Sequence, residues 1–195
     1  LIEELLKLLN GIKLKNAFIS GANNIIKNKD YVNKLNIFPV PDGDTGTNMS
    51  MTISSGVTAL KSLSDEELTV GEVVKTFVPQ LLRGARGNSG VILSILFRGF
   101  SKLFEDYDTL TGVDIINALE IGVKGAYDAV SKPTEGTMLT VARKAYESGK
   151  ESSKVNNDFK IVWQAVCKGA KEALDLTPEL LPVLKKAGVV DAGGK

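Results

Sequence analysis

Two aspartates on either side of one glycine mark the part of the sequence with the clearest potential for chemistry. Residues 36–49 read NIFPVPDGDTGTNM. Pro39 and Pro41 fix their own φ near about −65° and favour extended geometry in the residues that precede them. In an extended backbone residues two apart project to the same side, so Asp42 and Asp44 can converge on one point. A divalent cation would relieve the repulsion between these carboxylates, and oxygen ligands without sulfur or imidazole favour Mg²⁺ over zinc.

The same residues also suit an ordinary turn followed by the start of a helix. Asp, Thr and Gly are all favoured in turns and at helix N-caps. Met49, Ile53, Val57 and Leu60 recur at intervals of four, four and three residues, which predicts a helix that begins at the acidic turn. This segment alone therefore leaves a metal site and a purely structural turn both open.

Composition and charge exclude several classes of protein. The 195 residues are 43% hydrophobic and 24% charged, which is typical of a globular protein of one or two domains, and we predict a single domain over residues 1–195. The 24 basic and 23 acidic residues leave a net charge of +1, so no overall field favours nucleic acid or an anionic membrane. We find neither a signal peptide nor an apolar run of the ~20 residues that a membrane span needs, and we expect a cytoplasmic protein without membrane insertion.

Two further features of the composition limit the chemistry. The sequence contains no histidine, so any reaction must use carboxylates, hydroxyls, amides, Lys, Arg or the backbone. Cys167 is the single cysteine, and its apolar-periodic surroundings predict a buried structural thiol. The chain starts without Met and stops in a glycine-rich segment, which we interpret as a fragment of a longer protein.

Helical periodicity runs through nearly the whole sequence. Residues 69–72 (TVGE) have the pattern of a capping box, and Thr177 with Pro178 has that of an N-cap followed by proline in the first turn. Strand signals are scarce, so we predict an all-α domain of about eight or nine helices. Apart from the helix after the acidic turn, the predicted helices cover residues 1–9, 14–26, 70–82, 91–104, 113–130, 138–145 and 159–174, with a last short helix from Pro178.

Three loop-to-helix junctions are rich in Gly, Ser, Thr or Asn, at residues 43–48, 84–90 and 136–137. Helix N-termini present free N–H groups and a partial positive charge, and glycine lets the backbone approach an anion closely. Three such junctions together with an acidic pair would suit a polyphosphate and its metal. A glycine turn between helices is common, however, so each junction alone leaves a structural role open.

Four short motifs carry a resemblance to a known family. They are DGDTGTNM at residues 42–49, GARGNSG at 84–90, EGTML at 135–139 and VDAGG at 190–194. In this order they resemble the nucleotide-binding domain of the dihydroxyacetone-kinase L-subunit (DhaL) family, and most closely the amino-terminal domain of bacterial fatty-acid kinase A subunits. The resemblance implies an antiparallel eight-helix barrel that binds ATP or ADP with a pair of Mg²⁺ ions at one end.

The resemblance also implies roles for individual residues. Asp42 and Asp44 are the implied metal ligands and catalytic carboxylates, and Asn36 stands nearest to a third family aspartate, with one extra residue of spacing. Arg86 replaces a small residue of the L-subunits and is the predicted catalytic cation, with pairing to a nearby carboxylate as the alternative. The implied nucleotide contacts are Thr45, Gly46, Thr47, Asn48, Met49, Gly87, Ser89, Gly90, Thr137, Met138, Asp191 and Gly193.

The reaction implied by the resemblance is that of a fatty-acid kinase. A separate fatty-acid-binding protein of the DegV type would present a carboxylate to the γ-phosphate of ATP, which yields an acyl phosphate. A carboxylate is already ionised near neutral pH and needs no general base, which agrees with the lack of histidine.

Two alternatives to this reaction and one expectation about assembly stay open. A kinase for dihydroxyacetone or another small hydroxyl substrate is one alternative, although Thr45 stands where L-subunits carry histidine. A non-catalytic nucleotide sensor is the other. A homodimer through C-terminal regions outside this sequence is a further option.

Overall fold

The structure, a computed structural model, describes residues 8–195, and almost all of its regular elements are helices. Two-residue strands β1 (Leu9–Asn10) and β2 (Thr109–Leu110) pair antiparallel and are the only strands in this part of the chain. The predicted all-α class is confirmed, and the helix predicted over residues 1–9 falls mostly outside the described residues. Within residues 8–195 the nine helices α1 to α9 span Gly11–Lys27, Lys29–Leu35, Thr45–Leu60, Val70–Arg83, Gly87–Phe104, Gly112–Ala129, Met138–Ser153, Phe159–Leu180 and Pro182–Ala187.

The order of packing explains why three helix starts can meet. Each helix from α3 to α8 packs on the next one along the chain, and α1 and α2 pack across α3. Short connections between neighbouring helices make consecutive helices antiparallel. Alternate helices therefore begin at the same end of the bundle, and α3, α5 and α7 carry the three glycine-rich junctions at their starts.

The core lies between α1, α3, α4 and α5. The apolar face of α4 is almost completely buried, and Phe77 stacks on Phe18 of α1 with the ring centroids 4.6 Å apart. Phe97 of α5 meets Phe77 edge to face at 5.3 Å. Truncating such a buried aromatic side chain to Ala typically costs about 3–5 kcal/mol. No helix among residues 8–195 is both long and apolar enough to cross a bilayer.

One of the two helix starts predicted from capping patterns is confirmed, and the other is wrong. At the start of α4, Thr69 Oγ1 accepts the Glu72 N–H at 3.2 Å and the Glu72 carboxylate accepts the Thr69 N–H at 2.9 Å, which confirms the capping box. The predicted helix start at Thr177 and Pro178 is wrong, because both residues lie in the last turn of α8. The proline that does occupy a helix start is Pro182, at the first position of α9.

Cys167 is exposed, so the predicted buried thiol is wrong. Val162 and Val166, one turn apart on α8, form the buried face of this helix. Each residue of an α-helix is rotated by about 100° from the one before, and Cys167 therefore points away from the face that Val166 buries. An apolar-periodic stretch identifies a helix correctly but does not place every apolar side chain in its core.

Candidate functional site

The starts of α3, α5 and α7 open onto one cavity of about 700 Å³. This volume is typical of small-molecule sites. All four sequence motifs contribute to its walls, so the glycine-rich junctions lie at one end of the molecule. The predicted site residues that line the cavity are Asn36, Asp42, Asp44, Thr45, Asn48, Gly87, Ser89, Thr137, Met138, Asp191 and Gly193.

Five predicted site residues do not line the cavity. Gly46 and Gly90 allow close packing instead, because a Cβ at either position would come within 2.3 Å of an atom on a neighbouring element. The Thr47 hydroxyl accepts a hydrogen bond from the Asn33 amide at 3.0 Å, and Met49 is buried in the core. These four residues pack behind the residues that line the cavity. The fifth is Arg86.

Arg86 is the N-cap residue of α5 and lies at the surface. Its backbone N–H donates to Thr52 Oγ1 at 3.1 Å, which ties the start of α5 to α3. The Arg86 guanidinium forms no ion pair within residues 8–195, so the structural alternative, pairing with a carboxylate, is not seen there. Its catalytic role stays a prediction.

Asn36 holds the acidic turn onto the start of α3. Its side-chain oxygen accepts three hydrogen bonds, from the N–H groups of Asp44 and Thr45 at 3.1 Å each and from the Thr45 hydroxyl at 2.8 Å. Its amide nitrogen donates to the Val40 carbonyl at 2.9 Å, and the residue is only 5% exposed. An oxygen that already accepts three donors is poorly placed to bind a cation. The structure therefore favours a positioning role for Asn36 over the predicted metal ligation.

Asp44 occupies the N-cap position of α3 without capping it. A carboxylate at this position usually accepts the N–H of the second or third helical residue, but Asn33 Oδ1 already accepts the N–H of the third, Thr47, at 3.0 Å. Asp42 and Asp44 are both exposed and line the same cavity, and neither forms an ion pair with any residue from 8 to 195. Two carboxylates without a partner in one cavity fit the binding of a divalent cation.

The protein supplies two carboxylates here and not a complete cage. Among residues 8–195, no three acidic or cysteine side chains come together as a metal site. Mg²⁺ is commonly bound by one or two carboxylates, with phosphate oxygens and water completing the octahedron. The pair of Asp42 and Asp44 therefore fits a cation that is bound together with a phosphate ligand.

Of the three helix starts, only that of α5 has no side-chain cap hydrogen bond to its first turn among the described residues. At α3, the Thr45 and Thr47 N–H groups donate to Asn36 and Asn33. At α7, the Leu139 N–H donates to Thr137 Oγ1 at 3.4 Å, and a hydrogen bond from the Met138 backbone helps to lower the pKa of Asp191. The first turn of α5 has no side-chain cap among the described residues, and residues 87–89 line the cavity. An anion is therefore best bound at the start of α5.

Asp191 is a buried carboxylate that closes the cavity from the C-terminal side. It is 5% exposed, its side chain accepts the Gly194 N–H at 2.7 Å, and its own N–H donates to Thr177 Oγ1 at 3.0 Å. Burial raises the pKa of this carboxyl to about 6, although hydrogen bonds from Gly194, Met138 and Gly193 lower it in part. Asp191 thus connects α7, α8 and the chain beyond α9.

Lys132 is a cavity residue that sequence reasoning missed. It is the one Lys or Arg among the residues that line the cavity over residues 8–195, and its acidic lining residues are Asp42, Asp44 and Asp191. Its position three residues before the Glu-Gly-Thr motif was the available signal.

Comparison with known proteins identifies a family and similar proteins for this chain. The family model described as the DAK2 domain matches residues 39–195. The chain is 46% identical over 187 residues to an uncharacterised protein of Staphylococcus saprophyticus and 45% identical over 190 residues to protein YloV of Bacillus subtilis. These alignments cover 96% and 97% of the chain but only 34% of each relative, so the chain spans about a third of their length.

The residues that the family model matches include nearly all of the predicted site. Residues 39–195 include both aspartates, the three helix starts and Asp191, and leave only Asn36 of the predicted residues outside. The DhaL resemblance seen in the four motifs is therefore confirmed. The chain belongs to the DAK2 domain family, whose DhaL-like members are domains that bind ADP or ATP.

Proposed function

We propose that this chain is the ATP- and Mg²⁺-binding domain of a fatty-acid kinase. It transfers the γ-phosphoryl group of ATP to a fatty-acid carboxylate that a separate lipid-binding protein of the DegV type presents. The observation that carries the proposal is the meeting of Asp42, Asp44 and the uncapped start of α5 in one cavity.

The charge of the cavity supports metal-dependent binding. Asp42, Asp44 and Asp191 line it, and Lys132 is the one Lys or Arg among its lining residues over residues 8–195. A triphosphate would meet net negative charge there, and a divalent cation bound by Asp42 and Asp44 would neutralise it. Such a cation supplies charge neutralisation and orientation for phosphoryl transfer.

The lining of the cavity gives the nucleotide an orientation. Residues 87–89 at the start of α5 offer N–H groups to the phosphates, and the Asn48 amide lies next to Gly87. Apolar side chains form other parts of the wall and suit a purine base. These are Phe38, Pro39, Val40, Val91, Ile92, Val130 and Leu139.

The lack of histidine favours an acceptor that needs no general base. A hydroxyl acceptor needs one, and histidine, the residue that most often serves as a general base, is absent from the sequence. Thr45 cannot replace it, because its hydroxyl is buried and donates to Asn36 at 2.8 Å. A fatty-acid carboxylate is ionised at neutral pH and needs no base, so phosphoryl transfer depends on positioning and charge alone.

An ATP-consumption assay on the full-length protein tests the proposal. The protein is incubated with Mg²⁺-ATP and with a fatty-acid-loaded lipid-binding partner, with dihydroxyacetone, or with no acceptor. We expect ADP and acyl phosphate only with the lipid-loaded partner. Turnover with dihydroxyacetone alone would identify a glycerone-type kinase, and nucleotide binding without turnover for any acceptor would identify a nucleotide sensor.

A further inference from the structure

A ring of hydrogen bonds lies just outside the cavity, between α6, α7 and the loop that joins them. Tyr127 of α6 donates its hydroxyl proton to Glu135 Oε1 at 3.0 Å. Arg143 of α7 donates from Nε to the Tyr127 hydroxyl at 3.1 Å and from Nη2 to Glu135 Oε2 at 2.7 Å. Each of the three side chains contacts the other two, so the ring is closed.

The ring is anchored to α7 at two further points. Arg143 also donates to Glu147 Oε1 at 2.9 Å, one turn further along the helix. The Thr140 hydroxyl donates to Glu135 Oε2 at 2.7 Å and accepts the Gly136 N–H at 2.9 Å. Glu135 is therefore held from three directions although its side chain is 49% exposed.

The loop that Glu135 belongs to forms one wall of the cavity. Val130, Ser131, Lys132 and Thr134 line it, whereas the three ring residues do not. The far side of the loop is thus fixed by the ring while its near side faces the ligand. Gly136, with φ of +84°, makes the turn from the loop into α7.

We propose that Tyr127, Glu135 and Arg143 are positioning residues of the nucleotide site, which hold residues 130–137 so that Lys132 and the start of α7 face the bound phosphates. A single exposed ion pair would contribute little. A planar guanidinium that satisfies a carboxylate and a hydroxyl together fixes geometry as well as charge. This inference rests on the proposed nucleotide-binding function.

The test compares two variants that each remove one positive charge from α7. Arg143→Met removes the ring, and Lys144→Met is the matched control, because Lys144 pairs with Glu147 at 2.8 Å without contacting the loop. Both variants are made in the full-length protein. Amide hydrogen exchange of residues 130–137 is measured without nucleotide, and the Kd for ATP is measured at saturating Mg²⁺.

We expect Arg143→Met to speed exchange in residues 130–137 and to raise the Kd for ATP about tenfold, the equivalent of one charge-assisted hydrogen bond. Lys144→Met should change neither. Arg143→Lys, which can reach only part of the ring, should restore part of the affinity. Tyr127→Phe, which loses only a hydroxyl, repeats the test if Arg143→Met does not fold.

Unchanged exchange in Arg143→Met would overturn the proposal. Faster exchange with an unchanged Kd would also overturn it, because the ring would then be structural only. If the wild-type protein binds no nucleotide, the proposed function fails and the role of the ring in affinity fails with it. The exchange measurement then shows separately whether the ring holds the loop.

Discussion

Asn33 performs a task that the N-cap residue Asp44 would usually perform. A side chain at the N-cap normally accepts the N–H of the second or third helical residue, and an aspartate there would use its carboxylate for this purpose. Here the Asn33 oxygen accepts the N–H of the third residue, Thr47, at 3.0 Å, and Asp44 makes no side-chain cap. The Asp44 carboxylate is consequently available for a ligand at the helix start.

Replacing Asn33 should therefore affect both stability and metal binding. We expect Asn33→Ala to lower the free energy of unfolding by about 1–3 kcal/mol, because the Thr47 N–H loses its acceptor. It should also weaken Mg²⁺-dependent ATP binding, since Asp44 would turn inward to accept the Thr47 N–H. Urea unfolding and calorimetric titration measure the two effects.

Thr69→Ala is the control for this prediction. Thr69 Oγ1 caps α4 by accepting the Glu72 N–H at 3.2 Å, and Thr69 does not line the cavity. This variant should lose stability without losing affinity for Mg²⁺-ATP. Equal losses of affinity in the two variants would show that lost stability in general, and not the movement of Asp44, is responsible.

Asp191 makes stability depend on pH in a window that its pKa defines. Its pKa is raised by burial from 3.8 in the unfolded chain to about 6 in the folded protein. The folded protein therefore binds more protons between about pH 4 and pH 6, and its stability falls as pH rises through this window. The shift corresponds to roughly 3 kcal/mol at most.

The difference in unfolding free energy between wild type and Asp191→Asn, measured in metal-free buffer from pH 4 to pH 8, isolates this contribution. Other titrating groups cancel in the difference. We expect wild type to lose stability relative to the variant up to about pH 6 and to show no further change above it. A difference that stays constant between pH 4 and pH 6 would contradict the account.

At the scale of elements, the three helix starts are similar in composition but differ in whether side chains accept the N–H groups of their first turn. The glycine-rich junctions were visible in the sequence, and the structure brings all three to one cavity. Sequence alone could not show that Asn36 and Asp191 fill the N–H groups of α3 and α7. These contacts join residues nine and fifty-three positions apart, and local propensity carries no information about them.

Gly87, at the start of α5, offers a test at this scale. Its φ is +58°, and a Cβ would lie 2.3 Å from the Asn48 amide nitrogen. We expect Gly87→Ala to cost about 1 kcal/mol of stability through its backbone and, in addition, to weaken ATP binding by displacing Asn48 or the first turn. Thermal unfolding and ATP titration measure the two effects.

Gly188 provides the matched control. It has φ of +70°, but no atom lies within 4 Å of a Cβ built there. Gly188→Ala should show a similar loss of stability and unchanged ATP affinity. If both variants bind ATP as tightly as wild type, α5 does not provide the phosphate site.

At the scale of the whole molecule, the fold was more predictable than the exposure of single residues. Helical periodicity predicted the all-α class because apolar faces at three- and four-residue spacing must be buried against one another. It failed for Cys167, which lies beside a buried face, and for Thr177 and Pro178, where a helix continues through a start signal. In both cases packing between distant helices decides the outcome.

The net charge of the whole molecule gave no information about the site. A net charge of +1 gives no indication of a cavity whose lining includes three aspartates and, among residues 8–195, one lysine. Such local imbalance arises only when the folded chain brings separate motifs together. It is also the physical reason why we expect the nucleotide to bind with a metal and not alone.

Calorimetric titration of ATP into the full-length protein, with and without Mg²⁺, tests this central claim most directly. We expect binding by wild type only with Mg²⁺, and an affinity reduced on the order of 10- to 100-fold in Asp42→Asn and Asp44→Asn. Asp106→Asn, which removes an exposed carboxylate outside the cavity, should bind like wild type. Tight ATP binding that neither the removal of Mg²⁺ nor the two substitutions weaken would contradict the account.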